Sequence, residues 1–126
     1  MQKLLRLGIF PDTAAHIVQS MTERRFIDDR RFAHAFARDK MEYARWGRRK
    51  IALALYHKRV PRPLIDEALD NLDEDRYRCI LAEIIEAKKH TLAEPDTYEG
   101  RTKLFRLVAS RGFEPDLIAA VLRRNQ

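Results

Sequence analysis

Two stretches of this chain carry the same pattern, and a pattern that recurs at fixed spacing favours a stack of like units over a single irregular core. Gly47-Arg48-Arg49-Lys50 aligns with Gly100-Arg101-Thr102-Lys103, and thirteen positions separate Gly47 from Val60 just as thirteen separate Gly100 from Phe113. Prolines follow at Pro61, Pro63 and Pro115. Proline suits a first helical turn, where its missing N–H is not needed. Gly8-Ile9-Phe10-Pro11-Asp12 has the same punctuation near the N-terminus. The segments that follow also match: Ala14, Ile17, Val18 and Met21 align with Ile65, Ala68, Leu69 and Leu72, and with Ile118, Val121 and Leu122. That spacing is the apolar stripe of an amphipathic helix. A period of about 50 residues with shared stripes predicts a repeated helical unit.

The expected fold is all-α: tandem three-helix repeats in an elongated, curved array. Residues 1–46 form a first repeat, incomplete at its N-terminal side. Residues 47–96 form a second, and residues 97–126 a third in which two helices are visible. The helices expected within them are an end at 1–7, then 11–22, 28–44, 47–58, 63–72, 74–91, 97–111 and 115–124. The third of these follows a predicted cap at Asp28 or Asp29, whose carboxylate suits the free N–H groups of a first turn. Asp96 with Glu99 reads as a capping box before the helix at 97. No strand is predicted, because period-two alternation never persists and hairpin dipeptides of the Asn-Gly type are absent.

The residue types exclude most chemistry. None of the four glycines belongs to a phosphate-binding loop. His16, His34, His57 and His90 are not spaced as metal ligands, with one another or with Cys79. Ser20 and Ser110 sit in no nucleophile elbow. No enzyme, cofactor or metal site is expected. Cys79 lies beside the Tyr77/Ile80/Ile84 stripe and reads as a packed small residue. A lone cysteine and the absence of an apolar run of membrane-spanning length point to a reducing, cytoplasmic setting away from membranes, and a monomer is expected.

What remains is charge. The chain carries +6, with 9 Lys/Arg against 6 Asp/Glu in residues 1–46, 10 against 10 in residues 47–96, and 6 against 3 in residues 97–126. The neutral middle is polarised. No carboxylate occurs from Tyr43 to Ile65, while Asp66, Glu67, Asp70, Asp73, Glu74 and Asp75 crowd together after it. The candidate binding residues are Arg45, Trp46, Arg48, Arg49, Lys50, Lys58 and Arg59, with Arg101, Lys103 and Arg111 from the matched repeat. Arg48 and Arg49 fall at a predicted helix start, where free N–H groups favour an anion. Trp46 can stack on a base, fill a partner's pocket or pack in the core. Leu53 and Tyr56, opposite the Ile51/Ala54/Leu55 face, are either core or partner-facing. These residues alone describe a helical repeat protein that binds something acidic or polyanionic.

Four stretches taken together resemble the RecX family, bacterial regulators of the RecA recombinase. They are Ile27-Asp28-Asp29-x-Arg31-Phe32-Ala33, Arg45-x-Gly47-x-x-Lys50-Ile51, Leu55-x-x-Lys58-x-Val60 and Leu107-x-x-x-Arg111-Gly112-Phe113. The chain departs from the family by having Arg59 where a glycine is usual, and by starting near what resembles the end of the family's first helical region. The resemblance implies three-helix repeats. It also implies a regulator that lies in the groove of the RecA–DNA filament and lowers its recombinase, ATPase and co-protease activities, with single- or double-stranded DNA as a further partner. The alternative is a free-standing nucleic-acid-binding module of helix-turn-helix type, which needs polar base-reading residues at the start of one helix.

Overall fold

A computed structural model describes the backbone of residues 11–124 and the side chains of residues 15–124. The described residues form six α-helices and no strand: α1 (Pro11–Glu42), α2 (Arg48–His57), α3 (Arg62–Asp70), α4 (Glu74–Lys89), α5 (Tyr98–Ser110) and α6 (Pro115–Arg124). The expected helix end at 1–7 lies outside the described residues, as do Gly8, Ile9 and Phe10. From α2 to α6 the helices fall within two residues of their expected positions.

The first half departs from expectation. The helices expected at 11–22 and 28–44 are one continuous helix of 32 residues, so neither Asp28 nor Asp29 is a cap. An Asp caps only where the chain before it leaves the helix, and nothing between residues 12 and 46 forces it out: that run has no glycine and no proline. The stripe expected at Ile17, Val18 and Met21 is exposed, Met21 by 67%. α1 meets the rest of the molecule only farther along, through Ala33, Ala37 and Met41, which are buried. Alanines there let α3 approach closely. Arg30 and His34 then clamp α1 to Glu67 of α3: Arg30 Nε donates to Glu67 at 2.7 Å and His34 Nε2 lies 2.9 Å from it. These two hydrogen bonds, Arg30's first, hold the Glu67 carboxyl down at about 2.

α4 is capped by Asp73, which accepts from the Arg76 N–H at 3.0 Å, with Glu74 and Asp75 in its first turn and Lys88 and Lys89 in its last. Each charge complements the helix dipole. The cap of α5 is Thr97, which accepts from the Gly100 N–H at 3.1 Å, and not the Asp96–Glu99 box expected from the sequence.

The repeat is visible in the packing. Ile51, Leu55, Val60, Leu64, Ile65 and Ala68 are buried, and so are their counterparts Leu104, Val108, Phe113, Leu117, Ile118 and Val121. The ends of α2 and α5 match bond for bond. Arg59 N–H donates to Tyr56 O at 2.9 Å and Val60 N–H to Leu55 O at 3.1 Å. Gly112 N–H donates to Ala109 O at 3.0 Å and Phe113 N–H to Val108 O at 3.3 Å. Both are Schellman turns, which need a left-handed residue just past the cap, with an apolar residue after it reaching back to the helix. Arg59 has φ 64° and Gly112 φ 98°.

Gly112 adopts that angle freely, whereas Arg59 is strained by about 1–2 kcal/mol. Arg59→Gly should therefore raise stability by about 0.5–1 kcal/mol, after allowing for glycine's greater freedom in the unfolded chain. A urea melt checks this, and a lowered midpoint would contradict it.

α1 packs on α2, α3 and α4, and α4 packs in turn on α5 and α6. The two parts are joined by main chain. The Gly47 N–H donates to Arg111 O at 2.8 Å and the Arg49 N–H to Gly112 O at 3.0 Å, so the start of α2 is seated on the turn that ends α5.

Candidate protein and nucleic-acid interface

The basic residues singled out in the sequence separate into groups with different surroundings. Arg48 points inward. Its guanidinium donates to Glu74 at 2.5 Å and to Glu114 at 3.1 Å, and lies 4.1 Å from the Tyr77 ring centroid. The Arg48 N–H donates to the Tyr77 hydroxyl at 2.8 Å, and that hydroxyl donates to Glu114. Burial works against the Arg48 cation, but the hydrogen bonds to Glu74 and Glu114 outweigh it and raise its pKa. Burial, then the bond to Glu114, also raises the Tyr77 phenol well above its usual range. The N–H groups of Arg48 and Arg49 at the start of α2 are thus used internally, by the Tyr77 hydroxyl and the Gly112 carbonyl. Those two N–H groups are not left for an anion.

Arg45 pairs with Glu83 at 2.8 Å. It shares a recess between α4 and α5 with Arg111, whose carbonyl is already committed to Gly47. Arg101 donates to the carbonyl of Asp96, and Lys103 is exposed on α5. Arg49 and Arg59 are exposed on the α2 side. Leu53 and Tyr56 are exposed as well, at 57% and 70%, so both belong to the surface. Cys79 is also exposed, contrary to its expected packing: it lies one position off the stripe that turns Tyr77 and Ile80 inward.

The remaining residues form a continuous surface. Phe32, Phe36 and Trp46 follow one another with ring centroids 5.5 and 6.4 Å apart. Lys40 and Lys50 place their ammonium groups 4.7 and 4.6 Å from the Trp46 ring, and Lys58 lies 5.7 Å from Phe36 and 6.0 Å from Phe32. Trp46 is half-buried, Phe32 is 43% exposed, and Lys50 and Lys58 are exposed. Among the described residues none of these three lysines pairs with a carboxylate. Rings with unpaired cations between them can stack on bases and attract phosphates, or meet an acidic protein surface. Sequence reasoning found Trp46, Lys50 and Lys58 but missed Phe32, Phe36 and Lys40 as members. The signal was present, since these three follow one another at steps of four along α1 and share a face.

Comparison with known proteins adds a family to this geometry. Residues 28–69, which run from the middle of α1 to the end of α3, match the model of the RecX second three-helix domain. Over 124 residues, 97% of the chain, it is 32% identical to the Regulatory protein RecX of Clostridium tetani. The chain belongs to the RecX family. The Regulatory protein RecX of Clostridium botulinum is 29% identical over 123 residues. The chain spans 56% and 57% of the length of these two relatives. A crystal structure of RecX from Lactobacillus salivarius shares the fold, with a TM-score of 0.73 over 97% of this chain and 79% of that one, at 21% identity. The tandem three-helix architecture expected from the sequence is thus a RecX architecture. Among the described residues no helix is long and apolar enough to cross a membrane, and no group of His, Cys, Asp and Glu is placed to hold a metal.

Proposed function

We propose that this RecX-family chain is a cytoplasmic, non-enzymatic regulator that binds the RecA–DNA filament and lowers its recombinase, ATPase and co-protease activities. The lysine–ring strip of α1 and α2 is its main contact in this reading, and Arg49 and Arg59 extend it. The observation that carries the reading is the strip itself: three lysines without carboxylate partners set among three rings, on a chain of this family. A filament groove offers both phosphates and protein surface, and the strip has chemistry for each. Arg48, Arg45 and Arg111 contribute by holding the scaffold.

The test is strand exchange driven by RecA, with a pull-down on RecA in the presence and absence of single-stranded DNA and nucleotide. Changing Lys40, Lys50 and Lys58 together to Glu should abolish inhibition while leaving helical content unchanged. Binding by the unaltered chain should weaken with salt, with a log–log slope of up to about −0.7 to −0.9 per phosphate neutralised. Trp46 is the sole tryptophan and stands in the strip, so its fluorescence should report the contact. Full inhibition by the triple variant would remove the strip from the interface. The helix-turn-helix alternative predicts equal affinity for bare DNA and filament. Against it, prolines stand in the first turns of α3 and α6 (Pro63 and Pro115), where base-reading side chains are needed, and Glu114 before α6 is engaged by Tyr77 and Arg48.

A further inference from the structure

The groove between α5 and α6 has no carboxylate in its lining and carries three arginines. Its half-buried apolar part comes from Phe105, Ala119 and Leu122. Around this stand Arg101, Arg106 and Arg123, with Tyr98 at the edge, 79% exposed. None of the three arginines pairs with a carboxylate among the described residues. Among the described residues the only hydrogen bond made by any of these three guanidinium groups is the one from Arg101 to the main-chain carbonyl of Asp96.

The repeat supplies an internal comparison. The matched groove between α2 and α3 is lined by Arg49, Ala52, Leu53 and Asp66 among others. At aligned positions α3 carries Asp66, Glu67 and Asp70 where α6 carries Ala119, Ala120 and Arg123. Two of the three acids have become alanine and the third arginine. In α3, Glu67 is occupied by the clamp from α1. Of these acids only Asp66 lines the α2–α3 groove, beside Arg49 and Arg62, so the matched α5–α6 groove has alanine in place of that one carboxylate and three arginines in place of two, with its apolar part left open.

We infer that the α5–α6 groove is a docking site for an acidic peptide segment that inserts one large apolar side chain between its carboxylates. The chemistry separates this surface from the strip on α1 and α2. The strip has lysines, which act as point charges, and a row of rings suited to successive bases. The groove has arginines, whose planar forks match carboxylates in paired hydrogen bonds. It is mostly aliphatic inside, with a single ring in its half-buried part, which suits an aliphatic or aromatic side chain better than a run of stacked bases. Arginine and tyrosine around a small apolar recess are also the residues that most often dominate binding energy at protein interfaces. This inference stands apart from the proposed action on RecA, and its test uses no RecA.

The experiment is fluorescence anisotropy with the whole chain and four labelled probes. These are a short peptide with one Phe flanked by Glu on both sides, its Phe→Ala form, its Glu→Gln form, and an oligo-dT of equal charge. The Phe–Glu peptide should bind, and each altered peptide should bind about tenfold more weakly or worse. Arg106→Glu with Arg123→Glu should remove peptide binding. Both side chains are exposed, so far-ultraviolet circular dichroism should stay unchanged. The Lys40, Lys50 and Lys58 triple variant should bind the peptide normally. Peptide affinity unaffected by the arginine pair, or no preference for the Phe–Glu peptide over its Gln form, would overturn the inference. Oligo-dT bound more tightly than the peptide, and lost with the same arginine pair, would also overturn it and assign the groove to nucleic acid.

Discussion

Gly47→Ala is expected to lower folding stability by about 2–4 kcal/mol, read as a shifted midpoint in urea. The angles of Gly47 are φ −80° and ψ 168°, which alanine adopts without strain. The obstacle is space. A Cβ there would stand 2.2 Å from the carbonyl carbon of Gly112 and 2.2 Å from the nitrogen of Phe113, and both are main chain. Main-chain atoms cannot swing aside as a side-chain tip can, so α2 has to lift off the α5–α6 turn. Lifting it strains or breaks the two main-chain hydrogen bonds made there by Gly47 and Arg49, worth about 1 kcal/mol each. Overpacking adds a further 1–3 kcal/mol, roughly. A change below about 0.5 kcal/mol would mean that the joint relaxes easily.

The second large effect is at Arg48. Arg48→Glu should destabilise the chain by about 3 kcal/mol or more, because it places a third carboxylate against Glu74 and Glu114 and leaves the Tyr77–Glu114 pair without its cation. Arg48→Met keeps the stem packed on Tyr77 and should cost less. Arg49→Glu with Lys50→Glu, one and two positions along the same helix, should change stability by no more than about 0.5 kcal/mol, since both side chains are exposed. Thermal melts of the three variants give the comparison. Equal melting temperatures for Arg48→Glu and the Arg49/Lys50 pair would contradict the inward placement of Arg48. From the sequence, Arg48 belongs with Arg49 and Lys50 as one binding cluster. It leaves that cluster because its partners lie 26 and 66 residues away, beyond the reach of any local spacing rule.

That contrast shows what could be read from the chain. The second half was legible because each signal there is local: prolines at helix starts, a stripe at steps of three and four, and a thirteen-residue interval used twice. Matched intervals produced matched turns at Arg59 and Gly112. The first half was misread because Asp28-Asp29 satisfies a rule for helix starts in a place where the helix never stops. Composition holds the counter-signal, a run from residue 12 to residue 46 without glycine or proline, which gives the helix no reason to stop before the aspartates. Lys50 and Lys58 were found as charges. Their setting among Phe32, Phe36 and Trp46 depends on α2 crossing the face of α1, which is a matter of packing. The same holds for Glu114, whose position before a proline suggests a helix start and nothing about Tyr77.

The main-chain joint between Gly47 and the Arg111–Gly112 turn also has a metric consequence. It leaves no linker between the half of the molecule that carries the lysine–ring strip and the half that carries the arginine groove. Their separation and relative orientation are therefore constants of the fold. For a partner that engages both, the second contact becomes intramolecular, and its gain in avidity depends on whether the partner's own two sites lie at that distance. A flexible tether would tolerate many spacings at modest benefit to each. A rigid pair behaves as a ruler: it rewards one spacing strongly, and a partner with another spacing gains no more than it would from either surface alone.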